Sequence, residues 1–259
     1  MPADLSWQLL PLLLLAAFAA GWLDSIGGGG GLIQLPALLL FLPPQFTHLA
    51  IGTNKLSSII GTTAAASNYA RAVPPPVRTA VPMMASAFFA SGTGSWLATR
   101  IDASALRPAI LVALVIVFLI TLVNPASRVR ALADHERPTH NLAVPIGIGA
   151  GLGFYDGLIG PGTGAFLLVA LVQLVGLSFL RASATAKFVN WATNLASVVI
   201  FASQGEIWWQ LGLAMGAANL VGGYFGSRTA IKRGSEFVRK LLLVAVALLI
   251  VRLAWSLAG

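Results

Sequence analysis

Apolar residues in this chain do not alternate with polar ones; they run in long blocks separated by short polar breaks. Several blocks approach the roughly 20 residues that a membrane-spanning helix needs. A first segment, about 7–42, is interrupted by glycines, and three further segments follow at about 46–70, 78–98 and 105–123. The order then repeats: a glycine-broken segment at about 142–177, then 181–203, 207–226 and 237–257. The polar stretch NPASRVRALADHERPTH, residues 124–140, joins the two series, and RAVPPPVR, residues 71–78, reads as a stiff extended turn. The expected organisation is a first transmembrane repeat over 1–123, a cytoplasmic linker over 124–140 and a second transmembrane repeat over 141–259.

Sliding the chain against itself by 132 residues aligns the two series. Asp24 falls on Asp156, Gly28 on Gly160, Gly30 on Gly162, Ala50 on Ala182, Thr53 on Thr185 and Lys55 on Lys187. Over residues 24–55 the ungapped match has 9 identities in 32 positions, against about 3 expected by chance for so biased a composition. The same offset pairs Gly94 and Ser95 with Gly226 and Ser227, and Arg107 with Arg239. The period is too long for a solenoid and predicts a transporter-like architecture of two homologous repeats.

Composition narrows the class. The chain is 57% hydrophobic and 9% charged with a mean hydropathy of +0.85, whereas soluble domains carry about 25% charged residues. An all-α integral membrane protein is expected. The start MPADLSWQLLPLLLLAAFAAGW lacks a basic n-region and carries Asp4, which argues against a cleaved signal peptide. The chain has no cysteine, so disulfides and thiolate metal sites are excluded. The net charge of +8 reads as topology signals beside lipid headgroups rather than as a nucleic-acid surface.

Those basic residues bear on whether each glycine-broken segment crosses the membrane or turns back. Four plain crossings per half divide the loop Arg and Lys residues 8 against 6. A hairpin at each break leaves three crossings per half and places eleven on one side: Arg71, Arg78, Arg128, Arg130, Arg137, Arg181, Arg228, Lys232, Arg233, Arg239 and Lys240. Only Arg100, Arg107 and Arg252 remain opposite. The positive-inside rule favours the hairpin. Three crossings are an odd number, so the repeats are then inverted, with the linker inside.

The breaks themselves carry the candidate chemistry. DSIGGGGGLIQLP, residues 24–36, and DGLIGPGTGAF, residues 156–166, each place glycines between an upstream carboxylate and a new helix start. Non-helical backbone at membrane depth survives where it is buried in protein or lines a wet cavity. A helix start there offers free N–H groups and a positive dipole end, which suits an anion. Isolated glycines are read more simply as close packing between helices; a break repeated in both halves reads as binding. The candidate backbone donors are at Gly29, Gly30 and Gly31 in the first half and Gly162, Thr163 and Gly164 in the second.

Lys55 and Lys187 occupy equivalent positions and are the two cations among sixteen Lys and Arg residues that lie well inside apolar segments. A cation near the bilayer centre costs roughly 2.5–3.5 kcal/mol or more. Snorkelling or a structural ion pair would explain one such lysine; the symmetry points to function. On a helix, Ser58 and Thr62 follow Lys55 on one face, and Asn190 and Asn194 follow Lys187. Asp24 and Asp156 are candidates to pair with the lysines, to cap the following helix, or to carry a coupled proton.

The paired halves, with GTNK at residues 52–55 and ATAK at 184–187 downstream of the G-x-G breaks, resemble the sulfite exporter TauE/SafE family of membrane proteins. The resemblance covers nearly the whole chain. It implies transport, usually export, of sulfur-containing anions such as sulfite or small organosulfonates across the bacterial cytoplasmic membrane. It directs attention to Thr53, Asn54 and Lys55, and to Thr185 and Lys187; the second half has Ala186 in place of Asn54. No catalytic residue, metal or cofactor is expected. His48, His135 and His140 fall at segment ends or in the linker and do not repeat, and no serine has a matched base. An intramembrane enzyme is therefore the weaker class and an anion channel the closer rival. EIWWQ, residues 206–210, reads as an interfacial aromatic belt. The implied partners are a small anion and the lipid bilayer, not nucleic acid; a homo-oligomer is compatible with the composition.

Overall fold

The structure, a computed structural model, describes residues 9–28, 30–123 and 138–233. Gly29, most of the linker and the predicted segment at 237–257 lie outside the described residues. Among the described residues the protein is all-helical, with α1 at Leu10–Gly27, α2 at Gly31–Phe41, α3 at Thr47–Ala72, α4 at Val77–Ala98 and α5 at Ala103–Val123. After the linker come α6 at Ala143–Leu158, α7 at Thr163–Gln173, α8 at Phe179–Ser203 and α9 at Trp209–Arg233. The predicted segments fall on these helices, except that α9 continues to Arg233, beyond the expected end near residue 226. The starts of α2, α3 and α4 precede those of α7, α8 and α9 by 132 residues each.

Local chemistry sets the boundaries. Gly28 adopts φ +78°, and its N–H closes α1 on Asp24 O at 2.8 Å. The Pro43–Pro44 turn precedes α3, where the Thr47 hydroxyl donates to Pro44 O at 2.6 Å. Pro76 ends the extended PPP stretch and is the N-cap of α4. At 11 residues each, α2 and α7 are about 16 Å long, half of a ~30 Å hydrocarbon layer. α3, at 26 residues, spans about 39 Å.

Helix directions follow from close contacts. Gly222 and Gly226 of α9 lie against Phe18 O and Trp22 O of α1, in parallel order. α3 is also parallel to α9: the Trp208 N–H just before α9 donates to Thr53, while Asn68 donates to Tyr224 O and the Ser227 hydroxyl. Gly149, Gly153 and Gly157 of α6 meet Met83, Ala87 and Ser91 of α4, again in parallel. α8 opposes α3, with Phe201 beside Gly52 and Trp191 bonded to Thr63. It shares its direction with α4, Ser91 meeting Thr193 O and Ser95 meeting Ser197. Thus α1, α3 and α9 run one way and α4, α6 and α8 the other. Because α1 and α3 are parallel, α2 between them runs back, and α7 does so between α6 and α8. The reversal shows locally at Gly30, where an added Cβ would lie 2.8 Å from Ala20 O, a full helical turn before Asp24.

The burial pattern is inside-out relative to a soluble protein. Leu15, Phe18, Phe89, Trp96, Val112, Ile116, Leu213 and Phe225 are exposed, while Gln34, Asn54, Lys55, Asp156, Lys187, Asn190, Asn194 and Asn219 are buried. Buried polar groups and a broad exposed apolar surface are the informative departures from the soluble pattern, and lipid satisfies the second. Among the described residues α5 alone combines spanning length with uniform apolarity, at mean hydropathy 2.5 over Ala103–Ile120. α3 and α8 have the length, but their polar positions turn inward to a common cavity.

Candidate functional site

The two glycine breaks meet at the centre. Gly28 and Gly164 pack backbone to backbone: a Cβ on Gly28 would lie 2.1 Å from Gly164 C, and one on Gly164 2.7 Å from Gly28 Cα. Around this contact lies a cavity lined by Asp24, Gly28, Gly30 and Gly31 of the first break and Asp156, Gly160, Gly162, Thr163 and Gly164 of the second. Asn54, Lys55, Ser58 and Thr62 of α3, Asn190 and Asn194 of α8, and Asn219 of α9 complete the wall. The space open to the centre of a water molecule is about 40 Å3, several times the ~10–15 Å3 that one water requires. That suits a compact oxyanion.

The ionic groups are exchanged between the halves. Lys55, 2% exposed, reaches Asp156 Oδ1 at 3.0 Å and also donates to Asp156 O at 2.5 Å. Lys187 reaches Asp24 Oδ2 at 2.8 Å and also donates to Asp24 O. Each lysine therefore holds the carboxylate and the carbonyl at the end of the other half's first helix. The two aspartates differ. Asp24 Oδ1 also accepts the Gly30 N–H at 3.4 Å, so Asp24 both pairs with a lysine and caps the break. Asp156 Oδ2 is buried and has no hydrogen-bond partner, and neither has Asn54 Oδ1.

The helix starts add positive potential. The N-caps of α2 and α7 are Gly30 and Gly162, and neither helix has a side-chain cap. Their first N–H groups have no intrahelical acceptor, and roughly half a positive charge resides at each end. At the far end of α2, the buried Arg107 of α5 donates to Leu39 O and Leu42 O. It neutralises the negative end of the dipole whose positive end faces the cavity. Sequence reasoning had counted Arg107 only as a topology signal; its pairing with Arg239 at the repeat offset was the clue to a role inside the protein.

Of the residues singled out from sequence, Lys55, Asn54, Ser58, Asn190, Asn194, Gly30, Gly31, Gly162, Thr163, Gly164, Asp24 and Asp156 line this one cavity, as does Thr62; Lys187 does not line it and is tied to it through its pair with Asp24. Gly29 lies outside the described residues. Thr53 and Thr185 do not line it. The Thr53 hydroxyl accepts the Trp208 N–H at 3.0 Å, and that of Thr185 donates to Arg181 O at 2.8 Å within its own helix. The helical period explains this: each lies two residues before its lysine, about 200° round the helix from it.

Gln34 and Asn219 were missed. Gln34 accepts from Asn219 at 2.6 Å and from Ser57 at 3.2 Å and donates to Asn54 O at 3.3 Å, tying α2 to α3 and α9. Their signal was a lone amide in each of two apolar stretches, LIQLPALLL and GAANLVGG, which the repeat does not mark because Phe166 and Ala87 stand at the equivalent positions. His48 Nε2–H donates to Ala98 O and Ile101 O near the end of α4, away from the cavity. Among the described residues no cluster of His, Asp and Glu could hold a metal ion.

Comparison with known proteins agrees with this architecture. Residues 13–253 match the family described as sulfite exporter TauE/SafE. The chain is 34% identical over 258 residues to the probable membrane transporter protein ORF9 of a Sinorhizobium species, covering 96% of this chain and 94% of the relative. It is 32% identical over 247 residues to a probable membrane transporter protein of Haemophilus influenzae, covering 93% and 92%. It is 30% identical over 253 residues to the probable membrane transporter protein YfcA of Escherichia coli K12, covering 97% and 91%. No solved structure matches the chain. With the resemblance seen in its paired motifs borne out along nearly its whole length, the chain belongs to the sulfite exporter TauE/SafE family and is a membrane transporter rather than an enzyme.

Proposed function

We propose that this protein is a secondary transporter that exports small sulfur-containing anions, such as sulfite or compact organosulfonates, and binds them in the cavity between its halves. One observation carries the reading: two helix starts without a side-chain cap and the buried Lys55 converge on a single small cavity, and the buried Lys187 is joined to its wall through Asp24. Oxygens of a tetrahedral or pyramidal anion can accept from the Lys55 ammonium, from the N–H groups of the first turns of α2 and α7, and from neighbouring hydroxyls and amides. The size of the cavity favours a compact head group over a long chain.

The reading extends to topology. The opposed directions of α1 and α3 against α6 and α8, and the exchanged ion pairs, support two inverted repeats whose α2 and α7 are re-entrant half-helices. The bacterial origin of the relatives supports a multi-pass location in the cytoplasmic membrane. In the family name, sulfite export belongs to the family as a whole; for this chain it is the leading candidate activity. The test is a thermal-shift screen of the purified protein against sulfite, sulfate, thiosulfate and C1–C2 sulfonates, followed by flux in proteoliposomes. A ligand that binds only the folded state raises the melting temperature. Saturable flux with counterflow identifies a carrier; non-saturating flux without counterflow makes it a channel. A screen in which no sulfur oxyanion shifts melting, with no flux, overturns the assignment.

A further inference from the structure

We propose that anion binding is coupled to uptake of one proton at Asp156, so that the transporter moves its anion together with a proton. The inference rests on the cavity being the anion site. Among the described residues the ionisable side chains lining the cavity are Lys55, Asp24 and Asp156; Lys55 is held by Asp156, and Lys187, outside the lining, is held by Asp24. An entering anion must therefore take a lysine from an aspartate.

The two aspartates are not equally able to lose their cation. Asp24 has the more exposed side chain, at 20%, and its Oδ1 keeps the Gly30 N–H when Lys187 leaves. The Asp156 side chain is 7% exposed. Its Oδ2 already lacks a donor, and Lys55 is the donor to its Oδ1. Once Lys55 turns to the anion, Asp156 as a carboxylate would be a buried charge with no partner, the state that protein interiors avoid by neutralisation.

Among the described residues, the groups around Asp156 supply no substitute cation. Tyr155, on the same helix, donates its hydroxyl to Pro161 O. α4 presents Ser91 and Ser95, whose hydroxyls are bonded to α8. α7 has no ionisable residue. Across the cavity, Lys187 is held by Asp24. A proton on Asp156 makes its carboxyl a donor in a wall where Asn54 Oδ1 also waits for one. The proton comes from water on the side from which the anion enters, and it leaves when Lys55 returns.

The experiment is titration calorimetry of the detergent-solubilised full-length protein with methanesulfonate, a compact strong-acid anion that binds no proton near neutral pH. Runs in buffers of different ionisation enthalpy count the protons taken up. The expected result is about one proton per anion, with affinity falling about tenfold for each unit of rising pH. Asp156→Asn removes the proton uptake and flattens the pH slope, while Asp102→Asn, an exposed carboxylate outside the cavity, keeps both. Binding without proton uptake, or a slope that survives in Asp156→Asn, overturns the coupling and leaves the anion site standing. Failure of the wild type to bind either methanesulfonate or sulfite overturns the site and the coupling together. If Asp156→Asn does not fold, the proton count of the wild type decides.

Discussion

Removing Lys55 should destabilise the protein as well as disarm its site, and the two effects can be measured apart. Lys55 is 2% exposed and its partner Asp156 is 5% exposed, so Lys55→Ala leaves a carboxylate buried without its cation. Breaking a buried pair from one side costs about 3–5 kcal/mol. At about 2–4 °C per kcal/mol for a chain of this size, the apparent melting temperature in detergent should fall by roughly 6–20 °C. Asp156→Ala should cost a similar amount, because it strands the ammonium. The double variant Lys55→Ala/Asp156→Ala should be more stable than the two losses added together, by a coupling of about 0.5–3 kcal/mol. Lowering the pH should shrink the deficit of Lys55→Ala, because a protonated Asp156 no longer needs the cation. Melting curves at two pH values, with anion affinity measured per folded molecule, complete the assay. Anion binding should be lost in every variant without Lys55, including the rescued double variant. A single variant that melts like the wild type, or a double variant no better than the sum, would refute the view that the pair is mutually dependent. Wild-type affinity in the double variant would remove Lys55 from the site.

Gly31 offers a cleaner test of the helix-start site than Gly162. A Cβ on Gly31 meets ordinary contacts, the nearest Pro161 Cα at 3.5 Å, whereas one on Gly162 would lie 2.3 Å from Val117 at φ +82°; Gly31→Ala should fold normally yet lose most anion affinity, and unchanged affinity in calorimetry would show that the first turn of α2 is not a ligand. Arg107→Met should lower stability by about 1.5–3 kcal/mol through the unmet carbonyls of α2, with Arg107→Lys recovering part; a melting temperature equal to the wild type would mean that the capping contributes nothing. The chain has no native cysteine, so single cysteines report sidedness directly. Gln204→Cys should react with an impermeant thiol reagent in intact cells and Ala72→Cys should not; labelling of both would remove the inverted hairpin arrangement.

Much of the architecture was legible in sequence because helices in lipid obey local rules. Backbone polar groups must be satisfied within each segment, so apolar run length and glycine punctuation alone placed α3, α4, α5 and α8 to within about two residues, outlined the broken segments that hold α1–α2 and α6–α7, and ended α9 seven residues early. The repeat offset also singled out Lys55 and Lys187, since a cation inside an apolar run is costly wherever it points. What local rules cannot say is which carboxylate each lysine meets. The pairing of Lys55 with Asp156 spans 101 residues and that of Lys187 with Asp24 spans 163; both arise because α1 packs on α9 and α6 on α4, an exchange between halves. Thr53 and Thr185 stand two residues before the lysines yet face away from the cavity, because two steps of a 3.6-residue helix turn the side chain by about 200°. Arg107 looks like a loop charge until α5 brings it under the end of α2, and Gln34 and Asn219 acquire meaning only through each other. The sequence by itself determined most of the helices and the two buried lysines; the packing of one half against the other decided which charges are balanced, which acceptors are left unmet, and where the breaks meet.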